Sequence, residues 1–346
     1  MLLKHKLHKL FLLKIIFFVC MKNFRTVVTP EKSPFSITHR YSIVSIGSCF
    51  SENIGKKFSE YKFQININPF GQQYNPYSIA YAIERLLNGE LYSENDLVFH
   101  DELFHSFDHH GSFSKSSVAE TLQTINENLT CASADIKNAN ILFLTFGTSH
   151  VFSLKTTGKI VSNCHKLSGN NFERRLLTPH EIFDLLNDAL LRLRKVNSEI
   201  KIVLTVSPVR YFAFGHHENT VSKSHLFAAI HQLQKAHSGY FYFPAYELVM
   251  DDLRDYRFFA EDMLHPNYQA TDYVWEKLCD SMVDKKTLQA MKETDEILSA
   301  VKHRPRNANS DAHKTFVKKT LQKIEKLKNE LALSFTEEEK ILKAYL

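Results

Sequence analysis

YSIVSIGSCFS, the stretch from Tyr41 to Ser51, carries three signals in succession. The β-branched run Tyr41 to Ile46 predicts a strand, Gly47 and Ser48 interrupt it, and residues 51–60 continue in a helical pattern. Working outward, the same unit recurs. Phe63 to Ile67 is a weaker strand, Ile141 to Phe146 (ILFLTF) stops at Gly147, Lys201 to Val206 (KIVLTV) at Ser207 and Pro208, and Tyr240 to Phe243 (YFYF) at Pro244. Helical patterns near 76–88, 179–197, 222–236 and 267–283 alternate with them. In the last, Ala270, Tyr273, Val274 and Leu278 fall at helical spacing. Such alternation predicts an α/β protein, a three-layer doubly wound parallel sheet in residues 21–300.

Two regions break the rhythm. Residues 91–130, with His100, His105, His109 and His110, are expected as an insertion over the carboxyl edge of the sheet. Residues 303–312 (HRPRNANSDA) read as a linker within the segment 301–346. Lys314 to Leu346 then reads as a charged, solvated helix, a helical C-terminal extension.

The chain has 346 residues and 44% hydrophobic content, enough for a real core. Its net charge is +5, of which Lys4, Lys6, Lys9 and Lys14 supply four. The near-neutral remainder offers no clustered basic surface and argues against nucleic acid as a partner. Residues 1–20 have the outline of a signal segment, with a run from Leu10 to Cys20 too short for a stable membrane span. The alternative is an over-extended start with Met21 as the true one. Cys20, Cys49, Cys131, Cys164 and Cys279 are odd in number and contain no CxxC pair, so a reducing, cytoplasmic location is expected. Export is the alternative if residues 1–20 are a genuine signal.

In an open parallel sheet, reactive groups gather where strands end and helices begin. Ser48 stands at such a point, and its plainer role is to cap the helix that follows. Asp262, Met263, Leu264 and His265 form a DxxH before Pro266. A carboxylate three residues ahead of an imidazole can orient the ring and stabilise its protonated form while it removes a serine proton. Arg210, after the fourth strand, is either a bidentate anion ligand or one half of a structural ion pair. Asp108 and the nearby histidines offer metal-ligand types without a spacing that fixes a site, and no cofactor is implied.

Ile46 to Phe50 (IGSCF), with Ser51 and Glu52, resembles the signature of the GSCFA family. Asn68 to Asn75 (NPFGQQYN), Phe104 to His110 (FHSFDHH), Phe146 to Ser149 (FGTS), Asn163 to Lys166 (NCHK), Phe172 to Leu177 (FERRLL), Ser207 to Arg210 (SPVR) and Tyr256 to Pro266 (YRFFAEDMLHP) resemble its further blocks, colinear over residues 21–285. Ser51 replaces the alanine of the signature, and Phe107 stands where a tryptophan is usual. The family is similar to SGNH, or GDSL-like, hydrolases of flavodoxin-like fold. That resemblance implies Ser48 as nucleophile, His265 as base and Asp262 as its partner. It implies oxyanion donors at the Ser48 N–H, Gly71 and an asparagine, which is missing from the Gly147–Ser149 turn. Asn75, Ser149, Asn163 and His165 are the candidates to replace it or to contact substrate.

The expectation is a serine-dependent ester hydrolase or acyltransferase acting on a small-molecule or glycan ester, including O-acylated carbohydrate. The alternatives are a non-catalytic glycan or protein binder using Phe70, Tyr74 and Phe107, and a metal-dependent hydrolase using the histidine-rich insertion.

Overall fold

The computed structural model describes residues 25–346, so the expectations for residues 1–20 lie outside the described residues. β1 (Ser42–Gly47) leads into α1 (Cys49–Glu60), and β2 (Gln64–Ile67) precedes α2 (Pro76–Asn88). A hairpin of β3 (Leu97–His100) and β4 (Leu103–Ser106) comes before α3 (Val118–Asn138) and β5 (Ile141–Phe146). β6 (His150–Leu154), β7 (Ile160–Val161) and β8 (Phe172–Leu176) are followed by α4 (Pro179–Val196), β9 (Lys201–Val206), α5 (His216–Ala236) and β10 (Tyr240–Tyr242). Then come α6 (Tyr268–Met282), α7 (Lys285–Lys302), α8 (Asp311–Leu331) and α9 (Thr336–Lys343).

The five predicted strands form one parallel sheet in the order β2-β1-β5-β9-β10, the doubly wound, flavodoxin-like arrangement. β5 is buried along its whole length, as a strand covered on both faces must be. On one face, Val44, Ile46, Leu142, Leu144, Ile202 and Leu204 meet α2, α3, α4 and α5. On the other, Ile43, Ile141, Phe143 and Val203 meet α1 and α6. There Phe58 of α1 packs edge-on against Trp275 of α6, with ring centroids 4.7 Å apart. The chain winds outward from β1 to β2 and then returns to β5, so the strand order reverses between β1 and β5. A crevice opens at such a switch point, at the strands' carboxyl ends.

Two expectations need correction, and one small sheet is new. Only the front of residues 91–130 is an insertion: the segment after the β3–β4 hairpin joins the loop after β2 through the His110 N–H and the Phe70 carbonyl, 2.9 Å apart. From Val118 the chain is α3, the crossover helix that brings it back to β5. The antiparallel sheet β7-β6-β8 is unanticipated, because β7 has two residues and the middle of β8 is exposed Glu173, Arg174 and Arg175. Finally, the C-terminal extension is not one solvated helix. Ile297 of α7, Val317, Ile324 and Leu327 of α8, Phe335, and Leu342 of α9 form a small core of their own. Lys62 ties this unit to the α/β body through Glu338 at 2.6 Å.

Candidate active site

Gly47 brings β1 close to β5. A Cβ there would run into the Thr145 carbonyl and stand 2.7 Å from the Thr145 Cβ. The Gly47 N–H donates to Asn68 Oδ1 at 2.9 Å, which fixes the strand end. Ser48 follows in the N-cap position of α1, with extended backbone (φ −70°, ψ 179°), yet its side chain makes no capping hydrogen bond. Its Oγ is buried without a partner. An unsatisfied buried hydroxyl costs about 1–3 kcal/mol, so the plain capping role does not account for this serine. The Ser48 N–H donates to the Thr145 carbonyl at 3.2 Å, so the expected oxyanion donor is already engaged.

The DxxH turn is built around its carboxylate. Asp262 Oδ1 accepts from the Leu264 N–H at 2.9 Å and the His265 N–H at 3.0 Å, and Oδ2 lies 2.6 Å from His265 Nδ1. The His265 amide, then the Leu264 amide and the His265 ring, hold the Asp262 carboxyl at about 2, below the usual aspartate range. Met263, at φ +58°, closes the turn, and the Ala260 N–H donates to the His265 carbonyl at 2.7 Å. With Nδ1 engaged, Nε2 is the ring nitrogen left for chemistry.

Ser48 and His265 line one cavity of about 410 Å³ at the carboxyl edge of the sheet. They are not hydrogen-bonded to each other; such contacts are commonly long before substrate binds. Asn75 and Arg210 line the same cavity. Asn75 Oδ1 caps α2 by accepting from the Ser78 N–H at 2.8 Å, which leaves Nδ2 as its donor. Cys49 is in the wall, and burial raises its thiol pKa, so it is a poor rival nucleophile.

The other sequence candidates are placed elsewhere. Gly71 has φ +73° because its loop turns back on itself. Its N–H donates to the Asn68 carbonyl at 2.7 Å, so it has no proton to offer an oxyanion. Ser149 is buried, and its Oγ donates to the Ser222 carbonyl at 2.9 Å. Asn163 Oδ1 accepts from the His165 N–H at 2.8 Å, and His165 Nε2 meets the Ser106 carbonyl at 2.8 Å. None of these four lines the cavity. Phe70 is buried against His109 and presents no contact surface. His105 is held by Ser114 Oγ and the His100 carbonyl, and His109 by Ser106 Oγ. Among the described residues no three His, Cys, Asp or Glu side chains are grouped to share a metal ion.

Two further residues carry no signal in the sequence. His150 lines the cavity, is 3% exposed, and has no hydrogen-bond partner on either ring nitrogen. Burial, reinforced by Arg174, pushes its pKa down. Lys223 of α5 is buried behind the wall, and its Nζ donates to the carbonyl of Ser207, a cavity residue, at 2.6 Å. Burial lowers its pKa to about 7. Three polar residues on the buried side of α5, Asn219, Ser222 and Lys223, blur the helical periodicity there; it predicts a start near 222, where the helix begins at His216.

Among solved structures, the chain is similar to one from Streptococcus pneumonia named for platelet activating factor: 13% identity, 81% of this chain and 98% of that one covered, TM-score 0.37. It is also similar to a carbohydrate esterase family 3 from Talaromyces cellulolyticus (8%, 73% and 99%, TM-score 0.34) and to a Clostridium thermocellum family 3 carbohydrate esterase (11%, 73% and 97%, TM-score 0.32). At these values the likenesses carry no argument about activity. No curated protein matches the chain. The sequence profile of the GSCFA family matches residues 42–278, and that of the GSCFA domain protein C-terminal domain matches residues 294–346. With the α/β body and its helical extension both matched in order, the chain belongs to the GSCFA family.

Proposed function

We propose that this protein is a serine-dependent hydrolase or acyltransferase acting on ester bonds, with O-acylated carbohydrate as a candidate substrate class. The observation that carries the reading is the meeting of Ser48 and His265 in one cavity, with the imidazole held by Asp262 from the far side. In this scheme Ser48 Oγ attacks the ester carbonyl as its proton passes to His265 Nε2. Asp262 keeps Nδ1 protonated and stabilises the imidazolium. His265 returns the proton to the departing alkoxide, leaving an acyl group on Ser48. Water or a second alcohol then attacks that acyl group, with His265 again taking the proton. Asn75 Nδ2 and the first-turn amides of α1, which have no partner within the helix, are the donors for the tetrahedral oxyanion. The Ser48 N–H joins them if its hydrogen bond to Thr145 opens.

The test is to treat the full chain with a fluorophosphonate probe and to assay short acyl esters. Labelling at Ser48, and a fall in kcat of about a thousandfold or more in Ser48→Ala, are expected. Equal activity in that variant would remove Ser48 from the mechanism.

A second reading is favoured by one observation. The Ser48 hydroxyl is not bonded to His265, and its N–H is engaged by Thr145, as in a cavity that only binds. A glycan- or protein-binding protein of this kind would show saturable binding that survives His265→Ala, without ester turnover.

A further inference from the structure

Arg210 follows β9, in the wall of the cavity that Ser48 and His265 share. Arg25, Arg85, Arg175, Arg192 and Arg257 are each paired with a carboxylate. Arg210, like Arg40, Arg174, Arg194 and Arg254, has no such partner among the described residues, but unlike them it lines the cavity, and its Nε is buried without a hydrogen bond. The rings of Phe212 and Phe259 lie 5.3 Å from its Cζ, so packing restrains the guanidinium. Among the described residues the cavity wall contains no Asp or Glu and no other Lys or Arg. Glu52, which bonds Gln72 of the wall, is itself neutralised by Lys56 at 2.6 Å.

A guanidinium stays charged throughout the working pH range and presents a planar fork that matches a carboxylate or phosphate. Asp262 on His265 and Glu218, 3.9 Å from His150, stand against wall residues without lining the cavity themselves, so Arg210 is the charged side chain that a substrate anion meets in the wall.

We propose that the cavity selects anionic esters, with Arg210 gripping a carboxylate or phosphate of the substrate while the ester carbonyl lies at Ser48. The proposal deepens the ester-cleaving reading and rests on it for the identity of the reacting bond. Arg210 is in this sense a specificity residue, and the anion takes the place that an acidic side chain takes for the paired arginines.

The experiment has two arms, run on the full chain. In the first, kcat/KM is measured for O-acetylglucose, O-acetylglucuronate and O-acetylglucose 6-phosphate. A charge-assisted hydrogen bond predicts a preference of about ten- to a hundredfold for one of the two anionic esters. Which one leads tells carboxylate from phosphate. The anionic-to-neutral ratio should collapse in Arg210→Gln and recover only partly in Arg210→Lys, which keeps the charge and loses the fork. In the second arm, calorimetry measures binding of glucuronate, glucose 6-phosphate and glucose to Ser48→Ala, with and without Arg210→Gln, after thermal denaturation confirms that each variant is folded. If Arg210→Gln fails to fold, Arg210→Lys takes its place in both arms.

If no ester is cleaved while an anionic sugar binds in an Arg210-dependent way, the anion site stands and the hydrolase reading falls. Cleavage of neutral and anionic esters at equal rates, with no tighter binding of the anionic sugars, overturns the anion site and leaves the hydrolase reading intact. Absence of both turnover and anion binding overturns both.

Discussion

Asp262 and His265 are joined twice: the carboxylate meets the ring at Nδ1, 2.6 Å away, and the backbone N–H of the same histidine at 3.0 Å. One side chain therefore sets both where the imidazole begins and which way it turns. Asp262→Asn keeps an oxygen for the amides but cannot hold Nδ1 protonated in the same way. We expect kcat for an activated ester to fall by about 10⁴-fold, with the melting temperature little changed. Activity above a tenth of the wild-type value would argue that His265 is not the base. The Asp262 carboxyl is depressed by the fold, so its contribution is present above the ordinary aspartate value and is lost only as pH falls through about 2. The pair thus stays assembled at any practical assay pH.

Asn75 is asked to do two things, and one substitution separates them. Asn75→Asp retains the oxygen that caps α2 and loses the amide donor facing the cavity. Stability to urea should stay near that of the wild type, while kcat falls by about 10²–10³-fold. Asn75→Ala should lose both, with about 1 kcal/mol of stability gone as well. Unchanged kcat in the aspartate variant would move the oxyanion site to the first turn of α1.

Lys223 makes a prediction about pH. Its folded pKa, about 7, lies below that of an exposed lysine, so between these values the unfolded chain carries a proton that the folded chain lacks. Stability from this group therefore rises with pH from about 7 toward the ordinary lysine range, at up to about 1.4 kcal/mol per pH unit. Urea unfolding of wild type and Lys223→Met at pH 6 to 9 isolates the effect. The difference between the two proteins should be flat below pH 7 and move in favour of the wild type above it. A difference that does not depend on pH would mean that the lysine stays charged.

Gly47→Ala tests the close approach of β1 to β5. The added methyl meets backbone of Thr145, which cannot swing aside as a long side chain would. A loss of about 1–3 kcal/mol is expected, together with weaker fluorophosphonate labelling because Ser48 moves with the strand end. Full stability and labelling would show that the two strands separate freely at this point.

The parallel strands are legible in the sequence because burial on both faces leaves nearly continuous apolar runs, and β5 and β9 begin and end where ILFLTF and KIVLTV do. α3 is not, since its buried face includes Thr121, Ala132 and Ser133 among Ile125, Leu129 and Ile136, and the histidine-rich hairpin before it suggests a loop. At the site, Ser48, Asp262 and His265 are marked by local chemistry: a serine at a strand end, a carboxylate one turn from an imidazole. Gly71 misleads, because the family resemblance marks it as an oxyanion donor without telling that its N–H is given to the Asn68 carbonyl. His150 and Lys223 have no local mark at all. Their burial depends on α5 and β6 coming together with the turn after β5, which only the assembled fold determines.

Phe58 rests on Trp275, and the cavity closes only when the turn carrying His265 reaches the strand end carrying Ser48. More than two hundred residues of chain lie between that serine and that histidine. At ribosomal speeds of about 5–20 residues per second, roughly 10–40 s pass between the synthesis of Ser48 and that of His265. A nascent or truncated chain therefore holds a serine with no partner and an uncovered face of α1. Under the proposed mechanism, Ser48 becomes a competent nucleophile only after the chain has been made past His265 and the turn that carries it has docked.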